Sequence, residues 1–414
     1  MSPEAATPDG TPAERSPTLA DVRAAAAVAA EVARVTPVLS TRTISEAAGT
    51  TVVLKAENLQ RTGSFKLRGA LAKIAALERS GQPPRGVVCG SAGNHAQAVA
   101  YAARARGIPC EVFMPDGAPI AKTEAATALG ATVRLGGASV DDAVAAAQAR
   151  ADAAEMAFIH PFDDPDVISG QGGVGLELLE QVPDLARVVV PIGGGGLISG
   201  IAVAIRSQRP GVEIVGVQVE ACAAVGPSLA AGVPVPVTAP QSTIADGIAV
   251  KRPGERTLAL IQRWVDEVLV VGEDQVAEAM VLLLERAKLV VEGAGAVGVA
   301  AALDGRLPPR SGATALVLSG GNVDAGLLAQ ITRRHETQAG RRLVLEAHLP
   351  DRPGALAGLL GTVAGTGANL LDVRHIREGL DLHVRETVVA LVLETRGPEH
   401  AATVTAALAA AGYR

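Results

Sequence analysis

Six lysines stand against 31 arginines in this 414-residue chain, so an amine with special chemistry can be sought by elimination. Lys66 sits at a junction. In RTGSFKLRGA, Arg61 to Ala70, Gly63 and Ser64 mark a turn or cap, and Leu67 to Leu71 resume an apolar helix. An amine in the first turn of a helix feels the positive end of the dipole, which disfavours ammonium and favours the free amine. A Schiff-base lysine needs that form. Taken singly, a solvated lysine on a helix is the commoner case, and the local sequence alone does not overturn it.

A second feature is PIGGGGL, Pro191 to Leu197, between the strand-like RVVV and the helical ISGIAVAIRS. Four successive glycines let backbone amides turn toward an anion without Cβ obstruction, and the next helix adds its N-terminal dipole. The pattern lacks a Walker lysine and a GxGxxG match, so it implies neither a nucleoside triphosphate nor a dinucleotide. EGAGAVG, Glu292 to Gly298, does match GxGxxG. The next strand, however, ends in Ser319-Gly320-Gly321-Asn322 rather than in the acid that holds a ribose, so a close-packed helix start is the better reading. Third, GSAGNHAQ, Gly90 to Gln97, follows a strand and opens a helix that Ser91 and Asn94 can cap, with free amides suited to a carboxylate. Taken alone, an ordinary cap is the better explanation, and His95 reads as a satisfied helix histidine rather than a base.

Near-continuous apolar strands alternate with Ala-rich helical stretches from TVVLKAE, Thr51 to Glu57, through ATALVLS, which implies α/β architecture with parallel sheets covered on both faces. Ligands of such sheets bind beyond the strands' carboxyl ends. After Asn322 the segment Ile331 to Arg342 turns polar and charged and reads as a linker. Beyond it the pattern is strand, helix, strand, strand, helix, most of a ferredoxin-like unit. A net charge of −6 and only seven aromatic residues argue against a phosphate-tracking, base-stacking surface. The three cysteines, Cys89, Cys110 and Cys222, form no CxxC pair and read as reduced core thiols of a cytoplasmic protein. The acidic, proline-rich first 20 residues read as a disordered tail rather than a secretory signal. The uncharged run Val188 to Ile205 reaches the ~18 residues of a membrane candidate, but Pro191 and its glycines break it.

Taken together, SFKLRGA, SAGNHAQ, HPFDDPDVISGQGGVGLEL from His160, PIGGGGL and LSGGN resemble the threonine dehydratase (threonine ammonia-lyase) family of fold type II pyridoxal-phosphate enzymes. The resemblance implies a tryptophan-synthase-β-like, two-lobed fold of twisted parallel sheets over residues 21–330, with one lobe of about 21–58 and 160–330 and a smaller one of about 59–159. A linker at 331–342 and a C-terminal α+β, ferredoxin-like ACT domain at 343–414 would follow. It implies pyridoxal 5'-phosphate held covalently by Lys66, with Phe65 against its ring and Asn94 on its 3-hydroxyl. Gly193, Gly194, Gly195, Gly196 and Leu197 would bind its phosphate, and Ser319 would meet the pyridine nitrogen. Ser91, Ala92, Gly93, Asn94 and His95 would form the turn that receives the substrate carboxylate.

By the same resemblance the enzyme is a carbon–nitrogen lyase that removes the α-proton and β-hydroxyl of L-threonine to give 2-oxobutanoate and ammonia, with L-serine a second substrate. This is chemistry of isoleucine biosynthesis or threonine catabolism. Relatives that racemise serine carry a second serine where this chain has Ala92, and acidic metal ligands where it has Gln218 and Ala224 near Glu220, so neither racemisation nor a metal is expected. The ACT-like tail, with DRPGALAGLL from Asp351 and GANLLDVRH from Gly367, would make a homo-oligomer, dimer or tetramer. It would bind a branched-chain amino-acid effector or serve as an oligomerisation module alone. A serine dehydratase or β-replacement enzyme of the same fold and a catalytically silent amino-acid sensor remain alternatives, with a nicotinamide dehydrogenase a remote third. The residues leave the threonine-to-serine preference open, because one methyl changes specificity by only about 1–3 kcal/mol.

Overall fold

A computed structural model describes residues 16–81, 84–238, 242–377 and 385–413. The expected tail falls mostly on residues 1–15, outside the described residues. Its boundary needs correcting, because Thr18 closes a capping box on the helix Leu19–Ala29 and draws residues 19 and 20 into the fold. The chain divides into two compact units, Met1–Val323 and Asp324–Arg414.

In the first unit a six-stranded sheet runs in the order β1 (Val38–Ser40), β2 (Val52–Ala56), β10 (Ala313–Leu318), β7 (Leu185–Pro191), β8 (Glu213–Val219) and β9 (Glu267–Val271). Only the short edge strand β1 is antiparallel among these pairs. A second, all-parallel sheet has the order β5 (Thr132–Leu135), β4 (Cys110–Met114), β3 (Val87–Gly90) and β6 (Ala157–Phe158). Every residue of β10 and of β3 is buried, the pattern of strands covered by helices on both faces. The helices Gly196–Arg206 and Gly293–Leu303 supply such cover and are themselves buried along nearly their whole length.

The parallel arrangement sends the chemically suggestive segments out of strand carboxyl ends. β2 leads through a tight turn, Glu57–Leu59, toward Lys66, and β3 ends at Gly90 before Ser91. β6 precedes His160, β7 precedes the glycines, and β10 ends one residue before Ser319. A buried ion network fixes the helix that starts with Lys66. Arg68 grips both oxygens of Glu57, at 2.8 Å each, and donates to Glu177 at 2.7 Å. Lys55 of β2 pairs with Glu177 at 2.5 Å and also donates to the Thr36 carbonyl and to Gln181. Two cations face two anions, and the network joins β2, the Glu57 turn, the helix Lys66–Arg79 and the helix Gly173–Gln181. Burial raises the Glu57 carboxyl, but Arg68, Lys55 and the Thr36 hydroxyl together outweigh it and hold Glu57 below its ordinary value.

The second unit opens with the helix Ala325–Gln338, followed by β11 (Arg342–Pro350), the helix Ala355–Gly365, β12 (Asn369–Ile376), β13 (Glu386–Glu394) and the helix Pro398–Ala410. Its antiparallel sheet has the order β11-β13-β12. The segment expected to be a linker is therefore largely helical. Asp324 caps that helix by accepting from Gly326 and Leu327, and Ile331 is buried on one face, so the polar composition belongs to a helix exterior. Among the described residues no helix is long and apolar enough to cross a membrane.

Arg68→Ala removes one partner from the buried network and leaves uncompensated carboxylates, at an expected cost of about 3–5 kcal/mol. The shift in urea midpoint measures it. Arg42→Ala breaks an i,i+4 pair whose side chains are 90% and 70% exposed, and it is expected to stay within ~0.5 kcal/mol.

Candidate active site

Lys66 is the first residue of its helix, and the preceding Phe65 supplies no side-chain cap. The segment before it is pinned to the end of β10: the Phe65 N–H donates to the Ser319 carbonyl at 3.1 Å, and Ser64 bridges Gly320. The Lys66 amine donates to the Pro161 carbonyl at 2.8 Å and lies 5.3 Å from the Phe65 ring centre. Lys55, Lys73, Lys122 and Lys251 each reach a carboxylate, and Lys288 is an exposed residue whose amine bonds a backbone carbonyl. Among the described residues Lys66 is thus the buried-site lysine with no carboxylate at ion-pair distance. Burial brings its pKa down to about 8 against a weaker upward pull from Glu292.

The loop after β6 builds one wall of the site. Pro161 holds the Lys66 amine, while the next residue, Phe162, packs so closely on the glycine loop that a Cβ on Gly194 would meet its ring at 2.3 Å. Asp163 then accepts the backbone N–H groups of Glu255, Arg256 and Thr257, each at 3.1 Å, and so caps the helix Glu255–Trp264 from 92 or more residues away. That helix returns the support, because the Thr257 hydroxyl donates to the Gly194 carbonyl at 2.6 Å. The His160 ring accepts from the Phe162 and Asp163 amides through Nδ1, which makes it a neutral, loop-bracing imidazole, and burial lowers its pKa.

Gly193 to Gly196 leave β7 and open the helix Gly196–Arg206, with Leu197 buried in its first turn. Gly195 adopts φ +95°, and a Cβ there would also meet Thr257 at 2.8 Å, so the left-handed turn needs glycine. No side chain caps this helix, and its first-turn amides keep their donor capacity for an anion.

The third segment departs from expectation in one respect. Gly93, not Ser91 or Asn94, occupies the cap position of the helix Asn94–Ala105, and no side chain caps it. Other partners outcompete the helix. Ser91 Oγ accepts from the Gly93 amide at 3.2 Å, and Asn94 is drawn across the site to Glu292 and Asn322, at 2.7 Å each. His95 is buried with its Nε2 on the Ile159 carbonyl at 2.9 Å, and burial carries its pKa down to about 3, so its ring is a packing group. Ala92 and Gly93 complete the turn, and Ser319 is 3% exposed at the end of β10.

The structure thus brings Phe65, Lys66, Asn94, the tetraglycine and Ser319 into one connected cluster. It adds residues to which the sequence assigned no role: Pro161, Phe162, Asp163, Glu292 and Asn322. Glu292 carried a signal, as a single acid between the apolar KLVV and the small-residue stretch GAGAVG. The GxGxxG itself serves close packing, since Cβ atoms on Gly293 and Gly295 would meet backbone oxygens at 2.4 and 2.7 Å. Gln218 spends its amide on the Ile192 and Cys222 carbonyls and the Val225 N–H, and so braces the turn around Glu220. A desolvated, unpaired amine sharing a wall with an uncapped, glycine-lined anion cradle fits a phosphorylated aldehyde such as pyridoxal phosphate.

Comparison with known proteins agrees. The family described as "Pyridoxal-phosphate dependent enzyme" matches residues 30–320. The L-threonine ammonia-lyase of Thermotoga maritima is 45% identical over 96% of this chain and 98% of its own length. Among solved structures, the processed form of threonine deaminase isoform 2 from Solanum lycopersicum superposes with a TM-score of 0.71 at 33% identity, covering 78% of this chain and 98% of that one. Maize serine racemase gives 0.73 at 36% identity, covering 78% and 99%. The chain belongs to the pyridoxal-phosphate-dependent enzyme family.

Proposed function

We propose that this chain is a pyridoxal-phosphate-dependent threonine dehydratase that converts L-threonine to 2-oxobutanoate and ammonia and also accepts L-serine. The observation that carries the reading is the Lys66 amine, desolvated and without an acid partner, beside the tetraglycine cradle. The extent of the likeness to L-threonine ammonia-lyase across both units supports the substrate class.

Lys66 would hold the cofactor, Gly193 to Leu197 its phosphate, Asn94 its ring hydroxyl and Ser319 its ring nitrogen. When bound, pyridoxal phosphate supplies an electron-withdrawing ring that stabilises negative charge at the substrate's α-carbon. The first-turn amides of the Ser91 to His95 segment receive the substrate carboxylate, aided by the Ser91 hydroxyl. Once the substrate's amino group has taken its place, the freed Lys66 amine, with its lowered pKa, would take the α-proton. The proton removed from the α-carbon balances the one the β-hydroxyl takes up to leave as water; the enamine that remains adds water and gives the 2-oxoacid and ammonia. Ala92 offers no hydroxyl to return a proton from the opposite side, which favours elimination over racemisation.

The strand–helix–strand–strand–helix order that follows the helix Ala325–Gln338, with its β11-β13-β12 sheet, supports reading residues 343–414 as an ACT-type regulatory domain. All eight residues of the edge strand β12 are exposed, including Leu370, Leu371, Val373 and Ile376, as expected of a surface that pairs with a second copy in a homo-oligomer and binds a branched-chain amino acid. The three buried free cysteines suit a cytoplasmic location.

Lys66→Ala is expected to abolish both 2-oxobutanoate release from L-threonine and the visible absorbance of bound cofactor, and retained turnover overturns the assignment. In the apoprotein the free-amine fraction of Lys66 grows with pH. The rate of pyridoxal phosphate uptake should accordingly rise through about pH 8, rather than near the 10.5 of an ordinary lysine. Isoleucine or valine is expected to change turnover or Tm, and if neither responds the sensor reading of the second unit falls.

A further inference from the structure

Glu292 stands at the N-cap of the helix Gly293–Leu303, yet its carboxylate does not cap that helix. It turns into the site, 4% exposed, and accepts a hydrogen of Asn94 Nδ2 at 2.7 Å. Asn322 Nδ2 donates to Asn94 Oδ1 at 2.7 Å and to the Thr62 carbonyl at 2.8 Å. A side-chain amide has two N–H donors and one oxygen. With the oxygen and one N–H engaged, Asn94 keeps a single N–H. A flip of the amide would set its oxygen against a carboxylate oxygen and its NH2 against the Asn322 donor, so both neighbours enforce one orientation. Gly320 makes the room, since a Cβ there would lie 2.2 Å from Glu292 Oε1 and 3.1 Å from Asn94 Nδ2.

Glu292 makes no salt bridge among the described residues. Burial, with Asp246 adding to it, pushes its carboxyl up to about 7, while Asn94, Lys122 and the Asn322 backbone pull the other way. A carboxylate held out of water without a cation at contact costs stability, which argues for a role at the site rather than in the scaffold.

We propose that Glu292 is a positioning residue, which together with Asn322 locks the Asn94 amide so that its one remaining N–H serves the ring hydroxyl of pyridoxal phosphate; this rests on the cofactor reading above. A fixed donor at that oxygen favours its oxyanion form and strengthens cofactor binding. Glu292→Ala frees the amide to turn, and the ratio of the cofactor's visible to near-ultraviolet bands should fall. The apoprotein's affinity for added pyridoxal phosphate should drop about fivefold, the value of one hydrogen bond. Because the effect runs through Asn94, Glu292→Ala should add nothing in an Asn94→Ala background.

Glu292→Gln keeps an acceptor oxygen and should restore wild-type affinity, which also covers the case in which the alanine variant fails to fold. It should further remove the change in band ratio between about pH 6 and 8, where the Glu292 carboxyl ionises. The charged groups facing Glu292 are Asp246 of the turn Asp246–Ile248, Lys122 of the helix Ile120–Ala128, paired with Asp246 at 2.8 Å, and Lys66. They remain in the variant, so a persisting pH dependence belongs to them and overturns the proposal, as do additive effects of the two alanine variants or an unchanged spectrum in Glu292→Ala. Borohydride reduction with peptide mapping separates the two levels. A pyridoxyl adduct off Lys66 in the wild type sinks the cofactor reading, whereas an adduct on Lys66 with no coupling to Asn94 sinks only the positioning role.

Discussion

A half-buried lysine amine with no acid at contact is the constraint that organises the first unit. Bringing ammonium into a low-dielectric site is expensive, and a nearby carboxylate would relieve the cost while fixing the amine in its charged form. The surrounding acids are each committed elsewhere. Glu57 and Glu177 are held by Arg68 and Lys55, Asp164 and Asp166 by Lys73, Asp246 by Lys122, and Asp163 by the amides of the helix Glu255–Trp264. The carboxylate left to act on Lys66 is Glu292, whose own burial and hydrogen bond to Asn94 direct it away from an ion pair.

Geometry follows from the same region. The anion cradle and the amine must face each other across a short distance, and a rigid wall does this better than two separate loops. Pro161 and Phe162 are adjacent in sequence. The carbonyl of the first holds Lys66, the ring of the second fills the space over Gly194, and its Cβ and backbone close on Gly196. Asp163 and Thr257 tie that wall to the helix Glu255–Trp264 and back to the Gly194 carbonyl, closing a loop of support around the cradle. Parallel strands make the arrangement possible, because β2, β3, β6, β7 and β10 all deliver their following segments to the same side of their sheets.

What the sequence revealed and what it hid differ by range. The tetraglycine and the parallel-sheet rhythm are local patterns, in which residue type and neighbours suffice, whereas Lys66 stands out only when its segment is taken together with the other motifs. For Asn94 the resemblance implies a contact to the ring hydroxyl, but its protein partners are not legible: the local pattern suggests a helix cap, and groups 198 and 228 positions away engage its amide instead. Asp163 capping a helix some 92 residues downstream is equally beyond a local window. The linker was misread for a related reason. Polar composition marks solvent exposure, and an amphipathic helix with Ile331 on its buried face exposes most of its residues just as a linker does.

The balance between elimination and other outcomes is set by what surrounds the negative charge at the α-carbon. In the proposed arrangement Ser319 meets the ring nitrogen, and a neutral hydroxyl there, unlike a carboxylate, does not keep that nitrogen protonated, so the ring withdraws electrons less strongly. A short-lived carbanion favours expulsion of the adjacent β-hydroxyl over wandering of the proton to other positions. Ser319 is also fixed in place, since its carbonyl receives the Phe65 N–H immediately before Lys66. The segments carrying Ser319 and Lys66 are therefore parts of one backbone connection, and a shift of β10 would move both together. In the proposed arrangement Ala92 has no hydroxyl with which to return a proton, so loss of water is favoured over racemisation.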